Sequence, residues 1–142
     1  MSDKRFVDTN ILMYAHDSTA GDKHRRAKAL VAELWQERTG IISTQVLQEL
    51  CVSLRRKAAH PVDPKTAREI VTDYLSWDVY VNTGESVLDA LALEERFRIS
   101  FWDALVLQAA EASGATVLYS EVFPDGRLYG TVRAVNPLAG LP

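Results

Sequence analysis

Cysteine is all but missing: Cys51 stands alone among 142 residues, so no intrachain disulfide can form and the fold must rest on its core. Its neighbours Val46, Leu47, Leu50 and Val52 mark it as a small buried core residue, and a free thiol suits a reducing cytoplasm. Histidine is scarce as well. His16, His24 and His60 lack zinc-motif spacing, which argues against a His/Cys metal site and leaves them as surface residues. No apolar run approaches the ~18 residues that a membrane span needs, and no signal-peptide core follows the charged start Met1–Asp8, so the expectation is a cytoplasmic protein outside the membrane. Repeats and low-complexity tracts are absent too. What remains is 47% hydrophobic and 25% charged, the composition of a globular chain long enough to bury a core, and it is expected to form one domain over residues 1–142.

Positive charge is in short supply overall, since the formal net charge is -3. That argues against a general polyanion binder, because phosphate contacts need lysine and arginine. The distribution is uneven, however. Residues 1–60 hold 10 Lys and Arg against 7 Asp and Glu, whereas residues 61–142 hold 6 against 12. Two early clusters, Lys23, Arg25, Arg26 and Lys28, then Arg55, Arg56 and Lys57, could follow a nucleic-acid backbone; solvated helix ends are the alternative.

Hydrophobic periodicity predicts alternating strands and helices. Phe6-Val7 leads into Asp8 and a second apolar run, Ile11–Ala15, as a strand feeding a helix. Gly21-Asp22 is expected to turn and cap a helix over about 23–38, which Thr39-Gly40 ends. Ile41–Ser43 reads as a strand and about 44–58 as a helix with Glu49 beside its apolar stripe. Asp63-Pro64 supplies an N-cap and a proline at the first position of a helix to about Trp77. Val79–Val81 reads as a strand, about 85–97 as a helix, and Ser100 opens a further helix that ends at Gly114. Thr116–Tyr119 and Thr131–Val135 complete the strands, the last at an edge after a turn at Pro124-Asp125-Gly126. The expected class is α/β: a mostly parallel, helix-covered sheet of four to five strands, with ligands beyond the carboxyl ends of the strands at a topological switch.

Three acids stand out, each with a bland alternative. Asp8 ends the first strand, where it could merely cap a helix. Glu49 borders the polar side of its helix and could be solvated. Asp103 follows Ser100 by three and could complete a capping box, yet Phe101, Trp102 and Ala104–Leu107 make its helix the most apolar in the chain. If the three converge within ~4 Å, mutual repulsion would protonate one of them unless a divalent cation intervenes. An all-oxygen donor set favours Mg²⁺ or Mn²⁺, whose bound water suits in-line attack on a phosphodiester.

The segments Phe6-Val7-Asp8-Thr9-Asn10-Ile11-Leu12, Val46-Leu47-Gln48-Glu49-Leu50 and Ser100-Phe101-Trp102-Asp103-Ala104-Leu105, followed by Leu118-Tyr119-Ser120-Glu121 and Val135-Asn136-Pro137, resemble in order and separation the motifs of PIN-domain nucleases, and particularly VapC-like toxins. The resemblance covers nearly the whole chain. It implies a parallel sheet sandwiched by helices, with Asp8, Glu49 and Asp103 as metal ligands, and Thr9 or Asn10, with Ser100 and Ser120, as supporting residues. It also implies an RNA substrate, a homodimer, and a small cognate antitoxin that blocks the site. One position departs from the pattern: Val122 stands where the family often has a fourth acid. A valine cannot bind metal, so Glu121 or Asp125 would have to substitute, and the site would hold one ion rather than two with lower occupancy.

Two other readings compete. A receiver or aspartyl-phosphate phosphatase also places Asp after its first strand and binds Mg²⁺. A receiver, however, needs an acidic pair there and a lysine after its last parallel strand, where Ser120 stands; a phosphatase needs a second Asp where Asn10 stands. The second is a catalytically impaired domain that keeps RNA or protein binding, in line with Val122. Which RNA is cut is not encoded in any motif.

Overall fold

Short apolar strands flanked by helices can hide both faces only inside a layered fold. The computed structural model describes residues 3–56 and 58–142 and has that arrangement. Its strands are β1 (Arg5–Val7), β2 (Gly40–Ser43), β3 (Asp78–Tyr80), β4 (Val117–Tyr119), β5 (Leu128–Tyr129) and β6 (Val132–Val135). They form one sheet in the order β3-β2-β1-β4-β6-β5. The first five in that order run parallel, with Phe6 opposite both Ile41 and Leu118, and only β5 is antiparallel, to β6. Every residue of β2 is buried, as a strand covered on both faces requires.

The helices are α1 (Thr9–His16), α2 (Asp22–Glu37), α3 (Thr44–Arg56), α4 (Pro64–Tyr74), α5 (Gly84–Phe97) and α6 (Phe101–Ala112), with a 3₁₀ turn at Ser18–Ala20. Helix α1 packs on α2 and α3, α3 on α4, and α5 on α6. The chain steps outward from β1 through β2 to β3, then returns across β1 to β4. Right-handed crossovers in opposite directions set α5 and α6 on the face opposite α1 to α4. The reversal lies between β1 and β4, where the switch-point argument expects a ligand. Phe6, Ile41, Ile42, Leu107 and Leu118, all inaccessible to solvent, form the heart of the core.

Several local expectations need correction. Among the described residues the sheet has six strands, because Leu128–Tyr129 adds a two-residue hairpin arm turned by Gly130 at φ 60°. That arm takes the edge, so the strand expected there, β6, is interior. Helix α2 stops at Arg38, held left-handed at φ 58°, while Gly40 belongs to β2. Its N-cap is Gly21, without a side-chain cap; Asp22 instead pairs with Arg25 one turn on. Helix α4 ends at Tyr74, three residues early, because Trp77 is buried in an aromatic cluster with Trp35 and Tyr74. Cys51 is half-buried rather than a core residue, on a groove between α3 and α4.

Candidate active site

Four chain segments meet at the carboxyl edge of the sheet. Asp8 follows β1 directly and serves as N-cap of α1: its backbone is extended, and its Oδ1 accepts from Thr9 N at 2.8 Å. Capping uses one oxygen. The other, Oδ2, accepts from the Ser120 hydroxyl at 2.9 Å and from Asn10 Nδ2 at 3.1 Å. Ser120 follows β4, so this bond crosses the switch point from one strand end to the next. Asn10 also accepts from Glu121 N through Oδ1 at 3.1 Å, which ties α1 to the loop after β4.

Burial decides the electrostatics of Asp8. Only 6% of the residue is exposed. Removing its carboxylate from water raises the pKa from 3.8 to about 6, against the Ser120 and Thr9 hydrogen bonds, which lower it. The negative charges of Glu49 and Asp103 push it up further. Both acids therefore act on Asp8 through space, although 41 and 95 positions separate them from it in the sequence.

Glu49 is exposed on α3, and its Oε1 accepts from the Thr9 hydroxyl at 2.9 Å. Thr9 and Asn10 thus divide the work, one orienting Glu49 and the other Asp8. Asp103 is half-buried in the first turn of α6, where Ser100 Oγ accepts from its backbone N–H at 3.1 Å. This is half a capping box, because among the described residues the Asp103 carboxylate makes no return hydrogen bond. It is left available to a ligand.

The expected tight cluster is not what the side chains form. Among the described residues, no three of His, Cys, Asp and Glu stand close enough together to grip one ion directly. Glu49 and Asp103 each come within electrostatic reach of Asp8, without the three forming a ready-made ligand cluster among the described residues. The donor set still fits a hard cation: every donor is oxygen, one is a buried carboxylate made costly by burial and like charge, and Mg²⁺ keeps several waters while using one or two carboxylates.

The alternative acids already have partners. Glu121 accepts from the Tyr14 hydroxyl at 2.9 Å and lies 3.7 Å from Lys23 Nζ. Asp125 accepts from Asn136 N at 2.8 Å, which ties the loop before β5 to the residue that follows β6. Val122 is 57% exposed, and its backbone N–H donates to Ser120 Oγ. Of the basic residues, Lys23 is paired with Glu121 and Arg25 with Asp22, while Arg26, Lys28, Arg55 and Arg56 are exposed; Lys57 lies outside the described residues. His16 and His60 are exposed, as expected of surface residues, although His16 bonds to the Tyr74 hydroxyl; His24 is half-buried and held by the Tyr14 carbonyl.

Tyr14 and Gln45 escaped sequence reasoning. Gln45, buried in the first turn of α3, donates from Nε2 to the Trp102 carbonyl at 3.4 Å and links α3 to α6 behind the acids. Asn82, after β3, accepts from the Thr44 hydroxyl and Gln45 N, both at 2.9 Å, and fixes the start of α3. Their only advance signal is position after strands, which other polar residues share.

With this geometry in view, the chain can be set beside known proteins. The family model described as PIN domain matches residues 5–121. No curated protein matches. Among solved structures, the chain is similar to VapC20 of Mycobacterium tuberculosis, described as a sarcin-ricin loop cleaving toxin. There the identity is 23% and the TM-score 0.65, over 92% of this chain and 99% of that one. A toxin-antitoxin complex from Klebsiella pneumoniae gives 22% identity and a TM-score of 0.68, over 94% and 98%. VapBC2 from Rickettsia felis, bound to a DNA fragment from its promoter, gives 18% and 0.63, over 92% and 96%. At these identities the likeness is one of fold.

Proposed function

The chain belongs to the PIN-domain family, and on that premise we propose that residues 1–142 form one metal-dependent endoribonuclease domain, the toxin of a type II toxin-antitoxin pair. The observation that carries this reading is the buried Asp8 carboxylate at the switch point, hydrogen-bonded by Ser120 and Asn10 and facing the charges of Glu49 and Asp103. Asp8, Glu49 and Asp103 would hold Mg²⁺ or Mn²⁺. Bound there, the ion would polarise a phosphodiester oxygen and lower the pKa of a water for attack on phosphorus.

The chain's own groups prepare that chemistry. Ser120 and Asn10 fix the rotamer of Asp8 so that it meets a cation without reorganising, and Thr9 does the same for Glu49. Asp103 brings charge from the opposite face of the sheet on a helix whose residues Ala104–Ala110 are buried and rigidly packed. Lys23 adds a cation beside the loop after β4, where it can meet a phosphate. Three solved relatives in fold are toxin-antitoxin or VapBC complexes, which supports a cognate antitoxin as partner. The reading also includes a homodimer, and no described helix is long and apolar enough to cross a membrane.

The test is cleavage of single-stranded RNA with Mg²⁺ or Mn²⁺. Activity should vanish with chelator and in Asp8→Asn and Asp103→Asn; full activity in both folded variants would reject the assignment.

Val122 favours a second reading, a PIN domain that binds RNA or protein but cuts poorly. In that case Val122→Asp should raise Mn²⁺ affinity and cleavage together. If it changes neither, position 122 is irrelevant to the site.

A further inference from the structure

A tryptophan ring has much to gain from packing, and two of the three in this chain share one aromatic cluster: Trp77 is buried and Trp35 lies at the cluster's 36% exposed rim, both packed with Tyr74, with ring centroids across the cluster 5.0 to 5.4 Å apart. Trp102 is the exception. It is 64% exposed in the first turn of α6, the residue before Asp103, on a helix whose residues Ala104–Ala110 are all buried. It is also held in place. The ring of Phe101 meets it edge-on at 5.3 Å, and its carbonyl accepts from the buried Gln45.

Its position relative to the acids is informative. Gln45 begins the helix after β2, whereas Lys23 reaches the site through Glu121, after β4. Because β1, which leads into Asp8, lies between β2 and β4, the segment that carries Trp102 meets the β2 side of the carboxyl edge and Lys23 lies on the β4 side. A single nucleic-acid strand offers the matching pair: phosphates for the cation and flat bases for the ring.

We propose that Trp102 is the platform on which an unpaired RNA base stacks when the neighbouring phosphodiester lies over Asp8, so that it positions single-stranded RNA and disfavours duplex. This rests on the ribonuclease reading for its ligand. Stacking requires only a π-face, so the contact tolerates any base and selects for unpaired structure over sequence. Trp102 is thus a positioning residue that acts on binding, separate from the groups that act on the ion.

The experiment uses the full chain and ten-nucleotide 2′-O-methyl oligoribonucleotides, which resist cleavage, with Mg²⁺ present. Affinity is read by anisotropy of an end label and stacking by quenching of tryptophan emission. Wild type should show quenching. Trp102→Ala should bind roughly tenfold more weakly, Trp102→Phe within about threefold of wild type, and both should lose the quench, because Trp35 and Trp77 lie in the distant cluster. Thermal melting of both variants at the wild-type temperature keeps folding out of the comparison.

Unchanged affinity in folded Trp102→Ala, or a persistent quench in Trp102→Phe, overturns the proposal. Unchanged RNA binding together with weakened binding of a co-expressed antitoxin would assign Trp102 to a protein interface and also overturn it. The ribonuclease reading fails differently: cleavage of unmodified RNA would persist in Asp8→Asn and Asp103→Asn, whatever Trp102 does.

Discussion

The two edges of the sheet are built on opposite principles. At the amino edge, the indole of Trp77 packs against Gly40 so closely that a Cβ there would sit 2.6 Å from Trp77 Cε3. Trp35 and Tyr74 close the cluster, and Lys4 pairs with Asp78 at 3.0 Å on the surface. At the carboxyl edge the buried group is a carboxylate, with its pKa pushed up to about 6 by burial and by two further acids. One edge gains stability from packing, and the other gives some up to hold charge where a ligand can use it. The difference separates what folds this chain from what it does.

The comparison is tested most severely by removing the charge. Asp8→Asn should reduce metal-dependent RNA cleavage by at least about 100-fold, since it withdraws the best-oriented oxygen donor. It should not unfold the protein. The sign follows from the raised pKa: between 3.8 and about 6 the folded state holds a proton that the unfolded chain releases, so in chelator this group's contribution to stability falls as pH rises through that window. The full penalty, about 3 kcal/mol from the shift, is present above pH 6. The difference in stability between wild type and Asp8→Asn should therefore move against wild type by up to that amount from pH 4 to 7, measured by urea unfolding. A flat difference would mean that Asp8 is not perturbed.

Next in size is Ser120→Ala, which removes a hydrogen bond to Asp8 while leaving the three acids in place. Loss of a residue that orients a ligand costs about 10- to 100-fold in activity. Near-normal melting should accompany it, and equal activity would show that Asp8 needs no orientation from β4.

At the other edge the expected effect is on stability alone. Gly40→Ala should overpack Trp77 and destabilise by about 1–3 kcal/mol, with kcat unchanged at a temperature where the variant is folded. A fall in kcat without a fall in Tm would erase the distinction between the edges.

Much of the architecture was legible because it is written in periodicity. The apolar runs of β1, β2 and β4, and the 3.6-residue stripes of α2 and α3, follow from burial on known faces. Two-residue β5 carries no period and exists only because β6 offers a partner. The end of α2 is legible to within a residue, but not its cap, because Arg38 rather than a glycine takes the left-handed conformation. In the site, Asp8 showed itself as a carboxylate ending an apolar strand, and Ser120 came with a motif. Gln45 and Tyr14 did not, because their importance lies in partners 57 and 107 residues away. Trp102 counted as one more apolar residue of α6; only the packing of that helix shows that its ring faces water.

The central claim, that Asp8, Glu49 and Asp103 share one divalent cation, is tested most directly by calorimetric titration of Mn²⁺ into the chelator-treated chain and into Asp8→Asn, Glu49→Gln and Asp103→Asn. The account predicts a saturable site in wild type that is weakened in all three folded variants. Binding of equal strength in all four proteins would contradict it.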